Sequence, residues 1–291
     1  MTTLLPDGAT PDTLAAPQAG FAPISLDELV ESASLQTRVD RKYVLHRAEA
    51  RAVLADLVER EPGVRVLDID GRRDFAYESV YFDTPELTSY HLAAHRRRRR
   101  FKVRTRTYLD SGEAWLEVKT RAARGSTVKD RVAHDLAGRC ELGEGRRFVS
   151  ATLDGAAIPA AADLPLAAGL VTRYRRTTLF LPGRAPRAPG GQGAPAARAT
   201  LDSDLTWLLD EGTPAGRTAA VPDLVVVETK TGSTPSCLDH LLWRSGHRPQ
   251  RISKYGTGLA VLRPDLPATP WRRVIRRYVE PSLTTSHDRS T

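Results

Sequence analysis

In HRRRRRFKVRTRTY, residues 95–108, the basic side chains first run consecutively and then alternate, as Lys102, Arg104 and Arg106. In an extended chain residues i and i+2 share a face, about 7 Å apart. Lys102, Arg104 and Arg106 therefore line one side with Arg100 and Tyr108, and Phe101, Val103, Thr105 and Thr107 line the other. A row of like charges gains nothing without a counter-ion, and a polyanion supplies one. The alternation recurs at Arg38, Asp40 and Lys42 against Val39, Arg41 and Tyr43, and at Glu117, Lys119 and Arg121 against Leu116 and Val118. It recurs again at Arg198, Asp202 and Asp204 against Ala199, Leu201 and Leu205, and at Glu228 and Lys230 against Val225 and Val227.

One such strand is an ordinary solvated face. Five that converge would line a polar barrel, whose charges need ligand, water and partner groups to be tolerated. Its cations Arg38, Lys102, Arg198 and Lys230 would contact phosphate, and its carboxylates Asp40, Glu117 and Glu228 suit Mg2+ or Mn2+, which bridge protein and phosphate oxygens. Phosphoryl transfer asks for positioning and charge neutralisation more than for a covalent nucleophile, so this set is a sufficient toolkit.

The elements that must position these residues read as an antiparallel, β-rich α+β fold. Strand-like segments are short and β-branched, with no internal repeat and no strand–helix alternation of a parallel sheet. Helices are expected over 25–34, 46–60 and 84–95, the last with Thr84 as N-cap and Pro85 at N1, and over LDHLLWRSG, KYGTGLAVL and WRRVIRRYV near the end. Residues 1–24 read as a disordered tail, 25–280 as one domain interrupted by a mobile Gly/Pro/Ala loop at 182–199, and 281–291 as a C-terminal tail.

At 291 residues, 41% hydrophobic and 27% charged, the chain can bury a sizeable core. It has neither a secretory start nor an apolar run of membrane-spanning length, which predicts a cytoplasmic protein. Cys140 and Cys237 fit no metal or disulfide framework. The net charge of +8, largely from arginine, favours an anionic partner. There is no GxxxxGK[ST] loop, and GTGLAV at 256–261 fits a helix better than a dinucleotide turn. His91 and His95 lack a third metal ligand nearby. A nucleic-acid binder is the rival class, but Glu117, Asp202 and Glu228 on the lining would repel nucleic acid, so no specific nucleic-acid partner is expected.

RVDRKYVL at 38–45, SVYFDT at 79–84, KVRTRTY at 102–108, LEVKT at 116–120 and RISKYGTGL at 251–259 together resemble the vacuolar transporter chaperone (VTC) polyphosphate polymerase domain, within the triphosphate tunnel metalloenzyme superfamily. The resemblance spans roughly residues 35–262. It implies an eight-stranded antiparallel β-barrel with helices packed outside. It also implies a polymerase that transfers the terminal phosphate of a nucleoside triphosphate, ATP above all, to a polyphosphate chain. Lys42, Arg104, Arg106, Lys119 and Arg176 look like that family's phosphate-gripping residues, Arg251, Ser253 and Lys254 complete the grip, and Glu228 looks like its metal-binding glutamate.

Asp40 stands where the family has a longer glutamate, and Arg251 where it has a lysine. No regulatory domain is expected ahead of the tunnel and no membrane span after it, so coupling to a membrane would need a membrane-bound partner protein. A triphosphatase, in which water attacks, and a non-catalytic polyphosphate or nucleic-acid binder remain the alternatives.

Overall fold

The computed structural model describes residues 14–32, 39–121, 127–158, 163–184, 193–209 and 216–286. In chain order the elements are α1 (Ala15–Ala19), β1 (Ala22–Ile24), α2 (Leu26–Ser32), β2 (Val39–His46), α3 (Arg47–Arg60), β3 (Arg65–Leu67), β4 (Asp74–Asp83), α4 (Thr88–Ala94), β5 (Phe101–Tyr108) and β6 (Glu113–Arg121). They continue as β7 (Thr127–His134), α5 (Gly145–Gly155), β8 (Ala167–Leu181), β9 (Ala197–Leu209), β10 (Arg217–Val221), β11 (Leu224–Thr231), α6 (Cys237–Arg244), α7 (Lys254–Leu262), α8 (Arg272–Val274) and β12 (Thr284–Ser286).

Eight strands form one continuous antiparallel path, β2-β11-β9-β8-β4-β5-β6-β7. Small strands extend it: β10 and β12 from the end of β9, and β3 and β1 from the end of β8. Among the described residues no ladder joins β2 to β7, so the seam stays open. The path nevertheless curls on itself. Lys42 on β2 acts electrostatically on Lys102 on β5, and Glu228 on β11 acts on Lys119 on β6, so its two ends face each other across a lumen. This is the expected eight-stranded tunnel with helices around it.

Alternation sorts the core as the sequence predicts. Tyr43, Leu45, Val225, Val227, Ala199 and Leu201 point outward under α3 and α6. Phe101, Val103, Leu116 and Val118 point outward under α5, a helix the sequence reading did not anticipate. A third cluster lies on the lumen side. Val44, Tyr81, Tyr174, Trp207 and Val226 pack with Tyr255 and Leu259 of α7 and with Trp271 and Val274, plugging part of the barrel. The GTG of α7 serves this packing: a Cβ on Gly258 would lie 2.1 Å from Trp207, and one on Gly256 2.2 Å from Trp271. The helical reading of GTGLAV therefore holds.

Several expectations need correction. The N-terminal tail ends earlier than residue 24, because Leu14 and Phe21 are buried and Ala22–Ile24 pairs in parallel with β3; residues 1–13 lie outside the described residues. In the 182–199 segment Arg184 bridges to Ala194 and 197–199 already belong to β9, while 185–192 lie outside the described residues. At the other end Thr284–Ser286 pairs with β10, and 287–291 fall outside. The helix expected from Thr84 starts at Thr88. The Asp83 carboxylate accepts from the amides of Ser89 (2.7 Å) and Tyr90 (2.9 Å), so the first-turn donors are satisfied there and Pro85 sits in a turn. Asp204 does not share the lining with Asp202. A bulge where the β8–β9 register shifts puts Asp204 at φ +53° and sends it to the Arg47 guanidinium at 2.7 Å. Cys140 is exposed and Cys237 is buried, and both are free thiols.

Candidate phosphate tunnel

Cross-strand pairing puts Arg104 of β5 directly opposite Glu117 of β6. The Arg104 Nε and Nη2 donate to Glu117 Oε2 at 2.9 and 2.7 Å, and its Nη1 donates to the Tyr81 hydroxyl at 3.1 Å. Lys129 of β7 donates to Glu117 Oε1 at 2.8 Å, and Arg106 Nη1 lies 3.8 Å from the same oxygen. Burial would push the Glu117 carboxyl up, but Arg104, Arg106 and Lys129 outweigh it and hold the group well below the usual range. Burial likewise works against the Arg104 cation, and Glu117 more than reverses it. Both carboxylate oxygens are thus committed to three cations. Glu117, expected as a metal ligand, has its two oxygens on Arg104, Lys129 and Arg106 in this arrangement.

A second clamp forms on β9. Arg176 donates to Asp202 through Nε (2.6 Å) and Nη2 (2.8 Å), the two-pronged geometry that only arginine offers, and Lys254 donates to the same carboxylate. Beneath the cations lies a floor of tyrosines. The Lys254 Nζ sits 4.4 Å from the Tyr174 ring centre, Arg176 lies over Tyr77 and Tyr174, and those two rings stack at 5.3 Å. Lys254 is delivered by the first turn of α7, where Ser253 accepts from the Gly256 amide as N-cap.

Glu228 of β11 stands opposite Lys42 of β2. Burial opposes its ionisation, yet Lys42, Lys230, Arg176 and Lys119 hold its carboxyl well below the usual range. Its one ion pair among the described residues is Lys230 at 3.5 Å, so unlike Glu117 and Asp202 its oxygens are not saturated. Among the described residues no three His, Cys, Asp or Glu side chains cluster as a protein-built metal cage. A hard ion carried by one carboxylate plus substrate phosphates needs no such cage, and Glu228 fits that requirement.

Lys102 and Lys119 face each other across the β5–β6 ladder. Lys102 donates to Ser253 Oγ at 2.6 Å. Burial, reinforced by the charges of Lys42, Arg104 and Arg100, pushes its pKa down to about 7. Burial and then Arg104 and Arg106 push Lys119 well below its ordinary value. In all, nine basic side chains, Lys42, Lys102, Arg104, Arg106, Lys119, Lys129, Arg176, Lys230 and Lys254, gather around three carboxylates, Glu117, Asp202 and Glu228.

The remaining expected residues lie at the margins. Asp40 is exposed at the start of β2 and pairs in register with Lys230, Arg251 is exposed, and Arg38 lies outside the described residues. Arg198 donates through Nη2 to the Leu29 carbonyl of α2 at 2.8 Å. The sequence reading missed Lys129, because Thr127–His134 was not taken as a strand: its charges Lys129, Asp130 and Arg131 are consecutive and give no period-two signal. It also missed the tyrosine floor, whose members come from separate strands.

No curated protein matches the chain. Among solved structures it is similar to a candidate adenylyl cyclase from Hippeastrum with a dominant triphosphatase activity, at 16% identity over 80% of this chain and 99% of that one, TM-score 0.40. It is also similar to a candidate adenylate cyclase from Vibrio parahaemolyticus, at 11% identity over 75% and 95% of the two chains, TM-score 0.40. A protein from Pyrococcus horikoshii OT3 is similar at 10% identity over 72% and 88%, TM-score 0.35. The VTC domain matches residues 37–263, a span that holds every strand of the eight-strand path and both ends of the cation cluster, Lys42 and Lys254. The chain belongs to the VTC domain family.

Proposed function

We propose that the chain is a polyphosphate polymerase, which transfers the terminal phosphate of a nucleoside triphosphate, ATP in the first instance, to a polyphosphate chain inside the tunnel. The observation that carries this reading is the excess of nine inward bases over three carboxylates. An empty lumen built this way repels itself, and a linear polyanion neutralises it. The mixed lining disfavours nucleic acid.

In the reaction, a terminal oxygen of the bound chain attacks the γ-phosphorus, the bond from that phosphorus to the β–γ bridging oxygen breaks, and nucleoside diphosphate leaves. Arg104 and Arg106, held by Glu117, and Arg176 and Lys254, held by Asp202, present fixed donors to the equatorial oxygens, where charge must be stabilised without reorganisation. Lys42, Lys102 and Lys119 neutralise the flanking phosphates. A divalent ion at Glu228 would supply charge neutralisation and phosphate alignment.

Ligand protection tests the binding half of this reading. At fixed salt, ATP or inorganic triphosphate should raise the melting temperature more than single-stranded DNA does; stronger protection by DNA would overturn it. The pH dependence has a definite sign. Lys102 is depressed to about 7 in the empty protein, and phosphate beside it restores the charge. Binding of ATP at pH 8, where phosphate groups with a second pKa near about 6 are already ionised, should therefore take up protons. Its affinity should fall as pH rises above 7. The same depression means that the empty fold loses stability as pH falls from the lysine's unfolded value toward about 7, and no further below it. Calorimetry in two buffers of different ionisation heat reads the uptake directly, and proton release at pH 8 would contradict it.

A further inference from the structure

The ladder that carries the arginine clamp continues outward without a carboxylate. From the interior toward one mouth, β5 and β6 pair Arg104 with Glu117 and then Lys102 with Lys119. One step further stand Arg121, the last residue of β6, and Arg100, the residue before β5, opposite each other by extension of the Phe101–Thr120 register. Inside the tunnel the clamps close on acids: Arg104, Arg106 and Lys129 on Glu117, Arg176 and Lys254 on Asp202, and Lys230 on Glu228.

The outer pair has no acid partner among the described residues. Among the described residues none of Arg100, Arg121 and Arg251 forms an ion pair with a carboxylate. What stands beside Arg100, besides the burial that lowers its pKa, is the charge of Arg121 and Arg251. Arg100 Nη1 donates to the Arg97 carbonyl at 2.9 Å, which anchors the side chain at the mouth without neutralising it. Like charges opposite one another on a ladder cost stability, and among the described residues no carboxylate offsets this pair, so an external anion would relieve it. Arg100 lies four residues beyond Arg104, a span of about 13 Å along a strand. That exceeds what the two P–O–P bridges of a triphosphate gripped at Arg104 can cover.

We propose that Arg100 and Arg121, with Arg251 beside them, form an outer anion subsite that holds the part of a linear polyphosphate chain projecting beyond the inner clamps. The site distinguishes long chains from triphosphate, and it marks this mouth as the one through which the chain passes. The inference rests on the tunnel binding phosphate at all, as proposed above.

The test compares the full chain with an Arg100→Gln/Arg121→Gln variant, titrated at fixed salt with inorganic triphosphate, long-chain polyphosphate and single-stranded DNA. The variant should bind triphosphate as the unaltered protein does. Its affinity for long-chain polyphosphate should fall about tenfold, with a salt dependence shallower by about one unit of slope for each cation removed. Its ligand-free melting temperature should equal or exceed that of the unaltered protein, since a repulsion is gone. An equal loss for triphosphate and polyphosphate, or no loss for polyphosphate, would overturn the subsite while leaving the tunnel reading intact. A loss confined to DNA would make the mouth a nucleic-acid surface. If the unaltered protein binds neither phosphate ligand, the tunnel reading itself fails and the subsite with it.

Discussion

Arg104→Ala should abolish nucleotide-dependent activity and also cost about 3 kcal/mol of stability, the low end of what breaking a buried ion pair costs. Both effects come from one geometry. Arg104 is buried against Glu117, which is itself fully enclosed, and its Nη1 reaches the Tyr81 hydroxyl. Removing the guanidinium leaves a buried carboxylate whose ion-pair partners among the described residues are Lys129 and a more distant Arg106. The two effects can be separated. Arg104→Met combined with Glu117→Leu removes the stranded charge, so urea unfolding should show most of the lost stability recovered while activity stays absent. If the single variant proved as stable as the unaltered protein, or the double variant regained activity, the clamp would not have the role assigned to it.

Glu228→Gln should lower activity by about 10²–10³-fold, the scale of losing one electrostatic anchor of a transition state, and leave the fold nearly unchanged. The substitution keeps the shape and removes the charge of a lumen carboxylate that, unlike Glu117 and Asp202, is not saturated by its neighbours among the described residues. Stability should hold because Lys119 and Lys230, whose pKa values burial already depresses, can shed protons when the opposing charge disappears. Steady-state rates together with an unfolding curve decide it. Unaltered activity would remove Glu228 from the site.

The fold was legible because strand parity is rigid. Lys102, Arg104 and Arg106 point one way and Phe101 and Val103 the other because the side-chain period is two, and no tertiary contact can undo that within an unbroken strand. The reading failed where the period broke. Asp204 left the lining because a bulge inserts a residue at positive φ, which composition does not announce. Glu117 illustrates a different limit. Its position on the lumen face follows from alternation, but its service as an anchor for three cations depends on Arg104, Arg106 and Lys129, which only cross-strand register brings together. The beginning of α4 was misplaced for the same kind of reason. Thr84-Pro85 is a sound local start signal, and Asp83 overrides it by capping the amides of Ser89 and Tyr90.

The central claim is that the growing phosphate chain, and not water, accepts the transferred phosphate. Purified protein incubated with ATP and Mn2+ should accumulate acid-insoluble polyphosphate together with nucleoside diphosphate, and the Glu228→Gln variant should not. Release of orthophosphate alone, with no polymer formed, would contradict the polymerase account and make the tunnel a triphosphatase.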